Sequence, residues 1–541
     1  MNTEALLKSS TVMALGTIVS RITGLAKGLL LVAILGTGLL GDTFNVANTM
    51  PNILYNLLIG GALTAVFVPQ IVRATNGPDG GNLFISKLVT STTVFLGGLT
   101  LITVIIAPVL TSIFATSYIG HPAFRVTRLF MQICLPQILF MGLYALLSQV
   151  ANAKNKFGPM MWAPVLNNLV GIGILLTFIS IAPDVSAGTI TSSQRALLGI
   201  GTTAGFVIQA LVLFPVVRKS GLRLRARFDW RHADLGKSFR LGGWTLLFVL
   251  INQLGYLVVV KVATSAAVQA KIEGIAIGVG FTPYSYAYFI FILPHSIITV
   301  SVITALLPKI SRLAHDKNDN AVQKNLVDSL RNIAVVTAPS TVLFIAFGTS
   351  IASMLYAGAS AEDSRQIGLV LAAFALGLIP FSTMPLLLRG FYAYEDTRTP
   401  VVINIFATGS MMVLAIIAEN VIAFQYVTIA LAVILGISNI VGTLLSIRAL
   451  EKKVGKFPKQ QLLITHVKLL LLSTIALLPS LAIFLLTKSL LGAGWLSNAV
   501  ALSIGGVIFS VTYIYGGKLA KVEEITSLYR QILARLPRKS Q

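Results

Sequence analysis

Two short polar stripes lie inside otherwise apolar sequence near the N-terminus, and they carry the chemistry open to this chain. The first contains Thr17, Ser20, Arg21, Gly24, Lys27 and Gly28. At 100° per residue these fall within roughly 120° of one helix face. The second contains Asp42, Asn45, Asn48, Asn52 and Asn56, with Tyr55 beside the last; its acid and asparagines share an arc of roughly the same width. Charges at bilayer depth are costly and usually face a partner or a water-filled cavity. A buried guanidinium and ammonium suit an anion, such as a phosphate-bearing lipid. Arg21 lies well inside its run and reads as functional. Lys27 reads equally as a snorkelling residue, a structural partner of Asp42, or part of the same site. The asparagines could simply hydrogen-bond between helices, but their alignment with Asp42 and the adjacent basic helix favours a wet cavity.

Later candidates are sparser. Asn252 and Gln253 interrupt a further apolar run, His295 follows Pro294, and Arg389 precedes the GFYAYEDTRTP stretch that contains Asp396. His295, Arg389 and Asp396, with Gly24 and Gly28, are candidates for a gate or for structure. Of 18 Asp and Glu, only Asp42 and Glu419 approach the interior of an apolar run, whereas ion-coupled carriers usually place a carboxylate at mid-membrane. A lone cysteine, Cys134, excludes an internal disulfide or a cysteine metal cluster. GxxxxGK[ST] and HExxH are absent, so neither catalysis nor a cofactor or metal is expected.

The elements that must position these groups are membrane helices. The 541 residues are 55% hydrophobic and 11% charged, far below the roughly 25% charged residues of soluble domains. Apolar runs near or above the roughly 20 residues needed to cross a bilayer recur from Thr11 to Leu519. They predict an all-α polytopic protein with about fourteen spans, the second over 41–72. The first run carries Arg21 and Lys27 and lacks a cleavage site, so it reads as a span rather than a signal peptide. The net charge of +23 would suggest nucleic acid in a soluble protein. Here most Lys and Arg fall in alternate connections, the positive-inside pattern, which places both termini in the cytoplasm. The basic excess then serves topology and anionic membrane lipids, and nucleic acid is not needed as a partner.

An internal repeat divides the spans. AVFVPQIVRA contains Pro69, Ile71 and Arg73, and ITALLPKISRLA contains Pro308, Ile310 and Arg312, an offset of 239. Pro159 follows Ala151 by eight residues, as Pro400 follows Tyr392, an offset of 241. The pair of matches predicts a duplicated six-span unit with a parallel pseudo-two-fold axis. The expected organisation is a six-helix lobe over 1–217, a basic amphipathic linker over 218–237 and a second six-helix lobe over 238–450. Two additional spans over 451–517 and a basic tail over 518–541 complete it. Asn252 then occupies roughly the repeat position of Arg21.

SRITGLAKG (Ser20 to Gly28), GDTFNVANTMPNILYNLLIGGALTAVFVPQ (Gly41 to Gln70), LPHSIITVSVITALLPKIS (Leu293 to Ser311) and LLRGFYAYEDTRTP (Leu387 to Pro400) together resemble the MurJ/MviN family. These are the lipid II flippases of the multidrug/oligosaccharidyl-lipid/polysaccharide exporter superfamily. The resemblance extends over all fourteen predicted spans. Arg21 matches the family's first-span arginine, Lys27 stands where a second arginine is common, and Asp42 matches the acid opening span two. The chain departs from the pattern at Gly28, Tyr55, Asn56 and Phe289, where an acid and arginines are frequent.

The resemblance implies alternating access between two lobes in the bacterial cytoplasmic membrane. The headgroup of lipid II would cross a polar cavity while its polyprenyl tail stays in lipid. Arg21, Lys27, Asp42, Asn45, Asn48, Asn52, Tyr55, Asn56, Asn252 and Gln253 are the expected substrate contacts. The membrane potential is the expected driving force, and cell-wall synthesis proteins are possible partners. Another exporter of the superfamily or a non-transporting cell-wall scaffold are the alternatives.

Overall fold

The structure is a computed structural model that describes residues 3–57, 68–75, 77, 79–154, 156–182, 189–228, 235–274 and 278–526. Among these residues every regular element is a helix, as expected where the apolar slab denies backbone groups any partner but one another. Two compact units divide the chain, Met1–Thr282 and Pro283–Gln541.

The first unit contains α1 (Thr3–Leu35), α2 (Leu39–Tyr55), α3 (Val68–Thr75), α4 (Asn82–Ile105), α5 (Ala107–Phe114), α6 (Pro122–Cys134), α7 (Gln137–Ala153), α8 (Phe157–Ile181), α9 (Ser192–Leu211), α10 (Leu213–Lys219) and α11 (Leu235–Ile272). α1 packs along α8, α8 along α9, and α2 against α6. α11 follows the basic linker, yet it packs on α2 and α5 within this unit. The compact unit therefore runs on to Thr282, beyond residue 217.

α12 (Phe281–Pro294) opens at the boundary, and the second unit continues with α13 (Val300–His315), α14 (Asp319–Leu355), α15 (Ala361–Ala375), α16 (Leu378–Ala393), α17 (Arg398–Val421), α18 (Phe424–Val454), α19 (Lys459–Leu491) and α20 (Trp495–Leu519). α14 is its spine, packed on α15, α16 and α19. Ala334, Val335, Leu469, Ala476 and Phe509 form one buried cluster with Val522 and Ile525 from beyond α20. Gly377 and Gly436 let α16 and α18 meet closely, since a Cβ on Gly377 would lie 2.5 Å from the Gly436 Cα.

Twelve described helical segments are long and apolar enough to cross a membrane, and thirteen with the α15–α16 pair, bent by 49°, counted as one. These correspond to thirteen of the fourteen predicted spans. The other, over 41–72, includes residues 58–67, which lie outside the described residues. Most of the basic tail, from 527 onward, does so as well.

The repeat offset recurs in contacts inside each unit. In the first, Lys154 Nζ donates to Gly80 O at 2.9 Å beside Asp79. In the second, 240 residues on, Tyr394 Oη donates to Asp319 Oδ1 at 2.5 Å. Pro159 and Pro400 each sit third in their helices, α8 and α17.

The α16–α17 turn is held by Asp396. Its carboxylate accepts from Thr399 N at 3.0 Å and Thr399 Oγ1 at 2.8 Å. It also meets Lys453 Nζ at 3.2 Å, and that ammonium lies 5.6 Å from the centre of the Tyr394 ring. Partial burial pushes the Asp396 carboxyl up, but Thr399 and Lys453 together hold it below the usual carboxylate range. A depressed folded pKa stabilises above the unfolded value of about 3.9 and ceases to do so as pH falls through the folded value. Asp396→Asn should therefore lower the melting temperature of the purified protein at pH 7, by the equivalent of about 1 kcal/mol. The gap from the parent should close below about pH 4; a gap independent of pH would exclude this account.

Candidate functional site

The polar stripe of α1 does not face α2 as one surface. α1 lies against α8, and α8 takes most of the stripe. Asn168 Nδ2 donates to Ser20 O at 2.9 Å and to Thr23 Oγ1 at 3.1 Å, across the gap left by Gly24. Thr17 Oγ1 reaches Met161 Sδ at 3.8 Å. Lys27 runs past Gly171, where a Cβ would come within 2.6 Å of the lysine Cε. Two members remain outside this seam. Gly28 borders open space, and Arg21 is exposed in the body of the helix.

Asp42 is wholly buried, and backbone satisfies it. Its Oδ2 accepts from Phe281 N at 3.0 Å and its Oδ1 from Thr282 N at 2.7 Å. These amides open a helix and have no partner within it, and the positive end of the helix dipole favours an anion there. Gly280 precedes them with φ +143°, and any Cβ on it would collide with the carboxylate. This pairing replaces the structural Lys27–Asp42 pair that the sequence had left open.

The asparagines divide along α2. Asn45 Nδ2 donates to Thr282 Oγ1 at 3.0 Å. Asn48 Oδ1 accepts from Gln137 Nε2 at 3.3 Å, which donates equally to Thr203 Oγ1 at 3.3 Å, and Thr203 Oγ1 donates to Ile133 O at 2.9 Å. That chain of bonds links α2, α7, α9 and α6. Below it Asn52 is exposed, and Tyr55 and Asn56 are half-buried. The helix widens into a π turn at 56–57, and a second π turn at His295–Thr299 begins 239 residues later. π turns inside helices frequently mark functional positions.

The other candidates are scattered. Asn252 is exposed and returns its amide to Phe248 O at 2.9 Å on its own helix, and Gln253 is half-buried. Inside the second unit His295 Nδ1 lies 3.2 Å from Ser382 Oγ, with its ring 4.8 Å from that of Phe381. Arg389 lies 5.4 Å over the Tyr392 ring, and Phe289 is exposed. Sequence reasoning missed Gln137, Asn167, Asn168, Thr203, Gln209 and Thr282. The adjacent Asn167 and Asn168 were a usable signal, since neighbours on a helix point about 100° apart. Asn167 Nδ2 accordingly donates to Gln209 Oε1 of α9 at 2.7 Å, while Asn168 serves α1. No group of three or more metal-ligating side chains occurs among the described residues.

A cationic helix, an asparagine helix and thirteen spans thus occur together, and the sequence profile of the lipid II flippase MurJ family matches residues 31–505. The chain belongs to that family. It is a MurJ-type transporter. A probable lipid II flippase MurJ of Haemophilus influenzae is 27% identical over 439 residues, covering 77% of this chain and 81% of that protein. A solved lipid II flippase MurJ in an inward closed conformation shares the fold, with TM-score 0.71 and 22% identity over 94% of this chain and 99% of that one. An inward-facing multidrug transporter of the MATE family in the MOP superfamily does so more distantly, with TM-score 0.59 and 15% identity over 80% of this chain and 96% of that one.

The geometry around Asp42 has a measurable consequence. Asp42→Ala leaves the Phe281 and Thr282 amides unpaired in apolar surroundings and should destabilise by about 2–4 kcal/mol. Asp42→Asn keeps an acceptor and should lose roughly half as much. Thermal unfolding of the detergent-purified protein measures both, and equal melting temperatures for the parent and Asp42→Ala would contradict this role.

Proposed function

We propose that this MurJ-type protein carries lipid II from the inner to the outer leaflet by alternating access. In this reading Arg21 receives the pyrophosphate, and Asn52, Tyr55 and Asn56 meet the rest of the headgroup. The observation that carries it is the exposure of Arg21 within an apolar helix beside Ser20 and Thr23, which Asn168 of α8 meets at the Ser20 carbonyl and the Thr23 hydroxyl. A guanidinium held against lipid at that depth costs about 2.5–3.5 kcal/mol even on insertion scales. An aqueous, anion-accepting surface removes that cost.

Asp42, Asn45 and Asn48 position α2 in this scheme, and Lys27 adds positive potential from the α1–α8 seam. The concentration of Lys and Arg in alternate connections supports cytoplasmic termini. With that orientation an anion moving outward gains about 2.3 kcal/mol per charge per 100 mV of a positive-outside potential. The potential alone could then drive a pyrophosphate, and the same basic connections suit anionic lipid at the inner surface.

Flipping of fluorescent lipid II in proteoliposomes, with and without an imposed potential, tests this proposal. Arg21→Ala should slow flipping by tenfold or more, and Arg21→Lys should retain part of the rate. Collapsing the potential should slow the parent. Full activity of Arg21→Ala would refute the assignment of the site, and a rate indifferent to potential would refute the energetic scheme. Absence of flipping by the folded parent under any condition would favour a scaffold.

A further inference from the structure

After α10 the chain turns at Gly221, where φ is +91°, and runs extended to Phe228. This stretch is docked along α4. Arg223 N donates to Asn82 Oδ1 at 2.7 Å, Arg225 N to Ser86 Oγ at 3.3 Å, and Arg227 N to Thr90 Oγ1 at 3.1 Å. The register has a simple origin. Two residues of extended chain advance about 6.6–6.8 Å and four residues of helix about 6 Å. Every second amide of the strand therefore meets every fourth side chain of the helix.

Over 222–225 the extended chain also sorts side chains by parity. Leu222 is buried and Leu224 half-buried, whereas Arg223, Arg225 and Arg227 are exposed. Phe228 is exposed at the far end, an apolar side chain of the kind that enters the boundary between headgroups and acyl chains. Asp79 lies three residues before the first anchor, and its carboxylate already accepts from Gly81 N at 3.0 Å and Leu83 N at 2.8 Å. In the second unit, among the described residues, the related connection is met by Gln323 Nε2 donating to Lys456 O at 2.8 Å. Its chain then enters α19 at Lys459 without such a ladder.

We propose that this docked strand is a lipid-phosphate site, in which Arg223, Arg225 and Arg227, held at a fixed pitch on α4, bind phosphate-bearing headgroups of membrane lipid. Guanidinium forks match phosphate oxygens in pairs. Anchoring the backbone through three amides removes much of the ordering entropy that a loose basic linker would lose on binding. The phosphate can come from bulk anionic lipid or from a polyprenyl-linked substrate. The site shares no residue with the α1–α2 stripes and does not depend on how translocation occurs.

The full chain in detergent is titrated with phosphatidylglycerol, with phosphatidylcholine and with a short-chain polyprenyl pyrophosphate, and bound lipid is counted by native mass spectrometry. R225Q/R227Q should weaken binding of a phosphate ligand by about tenfold or more. R218Q/K219Q, which removes the same charge outside the ladder, should change it less than about twofold. N82A/S86A/T90V keeps every arginine but removes the anchors and should weaken binding severalfold, with its melting temperature checked in parallel. Loss confined to phosphatidylglycerol identifies bulk lipid, and loss confined to the pyrophosphate identifies the substrate; either supports the site. Parent-like binding by R225Q/R227Q in both arms would overturn it. So would equal losses in the two charge-matched variants, or no effect of the folded anchor variant, because each would reduce the ladder to diffuse basic charge.

Discussion

A polar group inside an apolar slab must find a partner within the protein or face water, and the first unit is organised around that requirement. Asp42 shows it most severely. A fully buried carboxylate is tolerated because two backbone amides at a helix start, where no carbonyl of the same helix reaches them, donate to it. The arrangement leaves no space for a side chain at Gly280. One residue on α2 thereby fixes the position of chain 239 residues away.

The same requirement sorts the remaining polar residues. Asn48, Gln137 and Thr203 satisfy one another in sequence across α2, α7 and α9, ending on the carbonyl of Ile133. Asn167 and Asn168 divide their amides between α9 and α1. Polar side chains used in this way confer register more than affinity, each bond in a membrane interior being worth only about 1 kcal/mol. In the second unit the stretch equivalent to α2 is lined instead by rings. Phe291 stacks on Phe374 at 5.0 Å, and Tyr288 and His295 lie against Phe381. The π turns begin 239 residues apart, at Asn56 and His295. The backbone irregularity has persisted while the side chains around it changed from amides to aromatics.

Helix type and thirteen of the fourteen spans were legible because hydropathy over some 20 residues depends on local composition alone. The repeat was legible because prolines and turn residues hold fixed places relative to helix ends, as Pro159 and Pro400 do. The polar residues set within the apolar runs were also visible. Where they pointed was not. Arg21 and Lys27 share a helix arc, yet only a neighbouring helix with a glycine at 171 decides that one is received and the other left exposed. The basic linker read as an amphipathic stretch at the headgroup boundary. Its extended backbone depends on Asn82, Ser86 and Thr90 being spaced to receive it, a match between two elements that no single-element pattern encodes.

Once those engagements are subtracted, little unsatisfied polarity remains among the described side chains of α1 and α2, and its placement is informative. Asn45 and Asn48 are bonded, whereas Asn52 is exposed and Asn56 half-buried beside the π turn. On α1 the arginine stays exposed while Ser20 and Thr23 beside it are bonded to α8. A stripe that served only to join helices would be bonded along its length, because every unmet amide or charge at that depth costs free energy. The stripes are bonded on α2 at the Asp42 end and on α1 along α8, and open at Arg21 and from Asn52 onward. The bonded part holds the two helices in register. The open part is what the proposed carrier function would require of a binding surface, namely polar groups that the protein itself leaves unmet.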